Sequence, residues 1–265
     1  MHPPSRAPAT PSTMSTTAAK PATPTSPIQT YLDQLHARLA GVTDGAVATY
    51  IPELFTIQSI SKPLVYGIAL EDRGEEGVRR AVGVEPSGEA FNSISLEPGT
   101  GRPLNPMINA GAIAAASLVA GDDPPARRAR MLAALSAYAG RPLDIDEAVF
   151  ASERDTGHRN RAIGHLLRNY DILTSDPEPA LALYFSQCAV RVDCRDLALI
   201  AATLANGGVN PVTQARAVQA GYVGPILSVM TTSGVYDFTG EWVYRVGLPA
   251  KSGVGGGIVA VLPGQ

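Results

Sequence analysis

Apolar residues recur every three to four positions along most of the chain, which is the pattern of helices that bury one face. This spacing predicts a first helix from Ser26 to about Gly41, because serine suits the N-cap, proline the first turn and glycine the end. A second helix is predicted from Ser59 to Asp72, before Gly74. A later helix is predicted to begin at Asn109 in a run of small residues, and another is predicted to end at Tyr138 before Gly140. Further helices are predicted over 158–169, 178–188, 194–205 and 222–232, and a short one after Asp237.

Strand patterns are confined to two short stretches near the end, at about 246–250 and 256–262, the second reading GIVAVLP. A turn-rich stretch, VGVEPSGEAFNSISLEPGTGRPLNP, precedes Asn109. The small residues that follow Asn109 let neighbouring backbones approach, so that helix is predicted to be central and buried. The sequence therefore predicts a predominantly helical α+β domain with very little sheet.

Residues 1–26 are rich in Pro, Thr, Ser and Ala and contain too few apolar side chains to build a core. They are predicted to form a disordered tail. They also have no apolar run of the kind that a signal peptide carries. Residues 27–265 are therefore predicted to form the folded domain, and the cytoplasm is the expected location.

The composition favours a soluble globular protein, with 45% hydrophobic residues, 17% charged residues and a formal net charge of −3. No basic stripe favours nucleic acid or an anionic membrane, and no run reaches the roughly 20 apolar residues that span a bilayer. Cys188 and Cys194 lack the spacing of metal ligands, so both are predicted to be buried or half-buried free thiols. We expect no metal and no organic cofactor.

Ser59 and Lys62 form an S-x-x-K motif at the predicted start of a helix. Residues three apart share a helix face, so the two side chains can meet there. A buried lysine can lose its proton and then accept that of a neighbouring serine. The motif alone is weak, because a capping serine followed by a solvated lysine has the same spacing.

A second motif, Lys251-Ser252-Gly253, precedes Val254 and a run of three glycines. Glycines let a backbone approach a substrate closely, so the N–H groups of Val254 and Ser59 are a candidate oxyanion hole. Taken singly, the glycine run is more typical of a flexible turn. S-x-x-K followed far downstream by K-[ST]-G is the pattern of penicillin-recognising serine enzymes.

Further segments make the resemblance specific, and they occur in one order over residues 45–264: VATYIPEL, QSISKPLVYGIA, VGVEPSGEAFNS, NPMINAGAI, SERDTGHRNRAIG, YFSQCAV, ATLANGGVNP, SGVYDFTGEW and RVGLPAKSGVGGGIVAVLPG. On these segments the chain resembles the serine-dependent glutaminases, a family with the β-lactamase or transpeptidase-like fold. The resemblance implies hydrolysis of L-glutamine to L-glutamate and ammonia through an acyl-serine. It also implies a homodimer or homotetramer.

The resemblance implies that Ser59 is the nucleophile and that Lys62 is the general base. It further implies that Tyr236 passes a proton to the leaving ammonia, assisted by Tyr50. The residues implied to hold glutamine are Ser59, Asn109, Glu153, Asn160, Tyr184, Tyr236 and Val254.

Glu153 suits the α-ammonium group of glutamine, and the Asn and Tyr side chains suit its carboxylate and amide. Glu153 and Asn160 are two helical turns apart, so one helix face is expected to present both. Taken singly, Glu153 is typical of a solvated charge, and the three tyrosines are typical of core packing.

Two departures from the family pattern shape the expected fold. In the resembling proteins a hairpin follows YIPEL, whereas here Leu54 joins Phe55 directly, and the resembling proteins also continue past VLPG. The antiparallel sheet is therefore expected to be largely incomplete.

Two alternatives to an active glutaminase follow from these observations. One is an inactive homologue that acts as a binding or oligomerisation module. The other is a penicillin-recognising acylase, which is disfavoured because Tyr236-Asp237 stands where those enzymes carry S-D-N or Y-x-N.

Overall fold

The structure is a computed structural model that describes residues 54–88 and 94–264. The predicted tail, the helix predicted from Ser26 and the candidate Tyr50 lie outside the described residues. The domain boundary at residue 27 therefore stays a prediction.

Nine α-helices occupy most of the described residues. They are α1 Ser61–Ala81, α2 Asn109–Ser117, α3 Pro124–Ala139, α4 Glu147–Thr156, α5 His158–Asn169, α6 Glu178–Cys188, α7 Cys194–Ala205, α8 Ala220–Ser233 and α9 Thr239–Arg245. Two 3₁₀ turns, Gln58–Ile60 and Tyr236–Phe238, immediately precede α1 and α9. The prediction of a predominantly helical domain is confirmed.

Four short strands form two separate antiparallel pairs within the described part of the chain. Strand β1 (Phe55–Thr56) pairs with β2 (Arg191–Val192), and β3 (Ala250–Ser252) pairs with β4 (Ile258–Ala260). The strand predicted at 246–250 is displaced, because β3 begins only at its last residue. The first pair carries no alternating pattern that would have predicted it, since each strand has two residues.

Helix α2 lies at the centre of the core, as its small residues predict, and packs against α1, α5 and α6. Its residues from Asn109 to Ala116 are all buried. At Gly111 a Cβ atom would lie 1.9 Å from the Asn105 carbonyl oxygen, so the close approach requires glycine. This packing holds Asn109, at the first turn of α2, beside α1.

Capping residues mark several helix ends, and the predicted end before Gly140 is one of them. The Asp123 side chain caps α3 by accepting from Ala126 N, and Gly140 ends it with φ +73°. Helix α7 begins with a reciprocal capping box between Asp193 and Asp196. Helices α5, α6 and α7 have the predicted bounds.

The predicted end before Gly74 is present: Gly74 has φ +68° and ψ 165°, and a kink there joins two helices within the span Ser61–Ala81.

Other expectations are wrong. Glu153 belongs to α4, a helix that the sequence pattern did not separate, whereas Asn160 belongs to α5 beyond Gly157. The expectation that one helix face presents both residues is therefore wrong. Cys194 is exposed, because it begins α7 at the surface, while Cys188 is buried.

Candidate active site

Ser59 occupies the 3₁₀ turn between β1 and α1 and is only 6% exposed. Gln58, directly before it, has φ +50°, a left-handed conformation that is uncommon outside glycine. The turn runs straight into α1, whose first turn accommodates Pro63 because the N–H groups there need no helical partner. Ser59 therefore lies at the positive end of a long helix, where a developing negative charge is favoured.

Tyr236 lies on the second 3₁₀ turn and also has a left-handed backbone, with φ +55°. Its hydroxyl donates to the Ser252 carbonyl oxygen at 3.1 Å, and the Ser59 side chain lies close enough to the phenol to affect its pKa, which burial raises. The candidate nucleophile and the Tyr236 phenol therefore lie side by side.

Lys62 is buried in the first turn of α1. Within the described residues its Nζ donates to the Met107 carbonyl oxygen at 3.1 Å and to Asn109 Oδ1 at 2.7 Å. Burial lowers the pKa of Lys62 from 10.5 to about 8, while the nearby Cys188 acts in the opposite direction. A fraction of the amine is therefore neutral near physiological pH, as a general base requires.

Lys251, from the second motif, is fully buried on β3. Its Nζ donates to the carbonyl oxygens of Gly234 and Ser252, at 2.8 and 2.7 Å, and lies 4.1 Å from the centre of the Tyr236 ring. Burial, followed by the charge of Lys62, holds the pKa of Lys251 well below its usual range. A second buried lysine thus packs against the ring of Tyr236.

Asn109 and Asn160 are brought together from α2 and α5. Asn109 Nδ2 donates to Asn160 Oδ1 at 3.0 Å, while Asn109 Oδ1 accepts from Lys62. The two predicted binding residues and the candidate base therefore form one hydrogen-bonded chain.

Glu153 and Tyr184 also lie near the Ser59 turn. Glu153 Oε1 accepts from Gln58 Nε2 at 3.4 Å. Tyr184 is buried, and burial raises the pKa of Tyr184 well above its usual value, with Cys188, one turn along α6, and then Glu153 and Tyr236 close enough to add to the effect.

Val254 lies in the turn between β3 and β4, with 63% of the residue exposed. That turn abuts the Ser59 turn: a Cβ atom on Gly253 would lie 3.2 Å from the Ile57 carbonyl oxygen and 3.3 Å from Ile60 Cγ1. The glycine next to Val254 therefore permits the close approach that an oxyanion hole would need. The role of the Val254 N–H itself stays a prediction.

Several residues at the site were not predicted from the sequence. Met107 contributes a carbonyl oxygen to Lys62, Gln58 contacts Glu153, and Cys188 lies beside both Lys62 and Tyr184. Burial raises the pKa of Cys188 to about 12, so its thiol is protonated. No sequence motif identifies a backbone carbonyl as a ligand, whereas the position of Cys188 one helical turn after Tyr184 was a usable signal.

Tyr236 and Met107 also line an open cleft of about 240 Å³ between the loop at 86–88 and the α8–α9 junction. Residues 54–88 and 94–264 contain no group of three His, Cys, Asp or Glu side chains arranged to hold a metal ion. No helix in this part of the chain is long and apolar enough to cross a membrane. The chemistry that the described side chains offer is that of a serine nucleophile with amine and phenol proton carriers.

A family profile described as Glutaminase matches residues 44–265. The chain belongs to the glutaminase family. It is 50% identical to a glutaminase of Trichormus variabilis, over 90% of this chain and 80% of that protein. A glutaminase of Microcystis aeruginosa is 49% identical, over 90% of this chain and 79% of that protein.

Solved structures of glutaminases share the fold. A probable glutaminase named ybaS superposes with a TM-score of 0.82 at 38% identity, covering 89% of this chain and 86% of that one. A probable glutaminase of Bacillus subtilis superposes with a TM-score of 0.77 at 39% identity, covering 80% of this chain and 68% of that one. The predicted α+β fold of β-lactamase-like type is confirmed for this glutaminase-family chain.

The alignment with the Trichormus protein runs over 267 positions but takes in 90% of the 265 residues here. It therefore includes positions of the relative that have no counterpart in this glutaminase-family chain. The location of the internal gap after Leu54 stays a prediction.

Proposed function

We propose that this chain hydrolyses the side-chain amide of L-glutamine to L-glutamate and ammonia through a γ-glutamyl ester on Ser59. The observation that carries the proposal is the position of Ser59 beside the Tyr236 phenol, with the buried Lys62 three residues further along at the start of α1, in a chain of the glutaminase family. Such a constellation combines a nucleophile with two groups that can carry its proton.

In the first step the Ser59 oxygen attacks the amide carbon, and neutral Lys62 accepts the proton that the serine loses. The N–H groups of Ser59 and Val254 stabilise the negative charge that develops on the carbonyl oxygen. Tyr236 delivers a proton to the leaving nitrogen, which departs as ammonia. Lys62 then returns the proton that it accepted, so the phenol is again protonated.

In the second step a water molecule attacks the ester. Lys62, neutral again, accepts a proton from that water, and the released serine oxygen takes a proton back. L-glutamate leaves, and the site is restored. No metal or organic cofactor enters these steps.

Substrate recognition follows from the chemistry of the remaining side chains. Glu153 offers the negative charge that the α-ammonium group needs, and its contact with Gln58 places it next to the Ser59 turn. Asn109, Asn160 and Tyr184 offer neutral donors and acceptors for the α-carboxylate and the amide. Tyr50 is proposed to assist Tyr236 on the family resemblance alone.

Ammonia release by the purified chain in the presence of L-glutamine tests the proposal. Ser59→Ala should abolish release, whereas the control Ser117→Ala, which removes a hydroxyl at the end of α2, should leave it intact. Unchanged release by Ser59→Ala would contradict the mechanism. Saturable glutamine binding without ammonia release would favour an inactive binding module, and labelling of Ser59 by a fluorescent penicillin would favour an acylase.

We also infer from the family resemblance that the chain acts in the cytoplasm as a homodimer or homotetramer. Light scattering on the purified protein measures the assembly directly. A monomer at enzyme concentrations that support full activity would contradict this inference.

A further inference from the structure

The carbonyl group of Gln58, directly before the proposed nucleophile, is held from two directions by one residue. Its oxygen accepts from the Ser61 backbone N–H and from Ser61 Oγ, the latter at 2.7 Å. Gln58 is also the residue with the left-handed backbone, at φ +50°. Such a conformation persists only when the surroundings determine it, and the Ser61 hydroxyl is one of those determinants.

Gln187 on α6 is hydrogen-bonded to the same Ser61 hydroxyl, through Nε2 at 3.2 Å. A carbonyl oxygen cannot donate, so the single proton of the Ser61 hydroxyl goes to Gln58 O. The hydroxyl must therefore accept from Gln187, which fixes the amide with Nε2 towards Ser61. The three residues form a chain with one direction, from Gln187 through Ser61 to Gln58.

The link from Gln187 to Ser61 is shielded from water, since both residues are 0% exposed, and the link from Ser61 to Gln58 is partly buried. Water is thus poorly placed to replace a lost partner, and a buried hydrogen bond of this kind is specific in direction. Within the described residues, Gln187 Oε1 has no hydrogen-bond partner, so the side-chain hydrogen bond of this buried amide is the one from Nε2 to Ser61. Helix α6 also carries Tyr184, and the chain therefore ties a predicted substrate-binding helix to the Ser59 turn.

We propose that Gln187 and Ser61 are positioning residues that set the orientation of Ser59 towards Tyr236. Loss of the Ser61 hydroxyl leaves the Gln58 carbonyl with the Ser61 backbone N–H alone, and loss of Gln187 removes the donor that orients the Ser61 hydroxyl. In either case the left-handed turn is held less firmly, and the Ser59 oxygen moves relative to the Tyr236 phenol and Lys62. Neither residue touches the substrate, so the effect falls on turnover more than on binding. This inference rests on Ser59 being the nucleophile of the proposed function.

The test uses Ser61→Ala, Gln187→Met and the double variant, assayed for kcat and KM with L-glutamine well below the unfolding temperature of each. A small displacement of a reacting group costs up to about a hundredfold in rate, so we expect each single variant to lose at least about tenfold in kcat. KM should change less than about twofold, because the binding residues are intact. The double variant should be no slower than the slower single variant, because both substitutions interrupt the same series of hydrogen bonds.

Thr203→Val is the matched control. Thr203 is likewise fully buried in a helix, and its single hydroxyl proton is shared between the carbonyl oxygens of Tyr138 and Leu199, away from the site. It should lower the unfolding temperature while leaving kcat unchanged. If Gln187→Met folds poorly, Gln187→Asn, which shortens the same amide, takes its place.

The outcomes separate the two proposals. If Ser59→Ala retains activity, the proposed mechanism fails and the positioning role fails with it. If Ser59→Ala is inactive but Ser61→Ala and Gln187→Met keep their kcat, as Thr203→Val does, the positioning role alone is overturned. Independent, additive losses in the double variant, or losses that match the unfolded fraction, would also overturn it.

Discussion

Ser59 lies beside the phenol of Tyr236, whose proton goes to the Ser252 carbonyl oxygen at 3.1 Å. Both residues lie on 3₁₀ turns, and the backbone is left-handed at Gln58, next to Ser59, and at Tyr236 itself. Backbone strain of this kind collects at functional sites because the surrounding structure holds reactive groups in place. The pair therefore brings the proposed nucleophile next to the phenol that is proposed to protonate the leaving nitrogen.

Tyr236→Phe removes the hydroxyl and keeps the ring that packs against Lys251. Because the phenol is proposed to carry the proton to the leaving nitrogen, kcat should fall by about a hundredfold or more. KM should change little. Tyr244→Phe, at a tyrosine that is 88% exposed, is the control and should match the unaltered chain. Retention of kcat in Tyr236→Phe would remove Tyr236 from the mechanism.

The pH profile of kcat/KM reports the protonation state of Lys62. Burial lowers the pKa of this lysine to about 8, and only the neutral amine can accept a proton. Activity should therefore rise about tenfold per pH unit below that value and level off above it. Lys62→Arg places a guanidinium that stays charged at every pH tested, so that variant should lose activity throughout. A flat profile between about pH 6 and 9 would argue against a lysine base.

Glu153→Gln tests recognition of the α-ammonium group. The substitution keeps an oxygen that can accept from Gln58 and removes the negative charge. We expect kcat/KM for glutamine to fall by about ten- to a hundredfold, mostly through KM. Asp155→Asn, an exposed change on the same helix, is the control.

A glutamine analogue without the α-amino group sharpens that test. It should react poorly with the unaltered chain and lose little further activity with Glu153→Gln. An equal loss for both substrates would show that Glu153 acts on something other than the ammonium group.

The packing of α2 predicts a sharp contrast between two glycines. Gly111→Ala would place a Cβ atom 1.9 Å from the Asn105 carbonyl oxygen, whereas Gly221, in the first turn of α8, has open space. Gly111→Ala should lower the free energy of unfolding by about 3 kcal/mol. Gly221→Ala should change it by less than about 1 kcal/mol, in the stabilising direction. Equal effects in denaturant unfolding would contradict the close approach of α2.

Helix positions were largely predictable where apolar spacing and end signals agree, as for α5, α6 and α7. The separation of α4 from α5 was not, because Gly157 falls inside a polar stretch whose spacing fits one continuous helix. The short strands β1 and β2 depend on pairing between residues more than 130 positions apart, which local sequence does not encode.

For the site, the motif Ser59–Lys62 and the family resemblance together predicted which residues gather. The hydrogen bonds that these residues form were less predictable. Lys62 donates to Met107 and Asn109, and the Tyr236 hydroxyl beside Ser59 donates to the Ser252 carbonyl oxygen. The lowered pKa of Lys62 arises from burial by other helices, and the left-handed Gln58 and Tyr236 are not glycines, so neither feature has a signature in the sequence.

The covalent intermediate is the central claim, and mass spectrometry of the acid-quenched reaction tests it most directly. Chain mixed with excess L-glutamine should carry one added γ-glutamyl group, and peptide mapping should place it on Ser59. Tyr236→Phe and Ser59→Ala give two reference states, the first with reduced acylation and the second with none. A chain that releases ammonia at full rate without any adduct on Ser59, or with the adduct on another residue, would contradict the account.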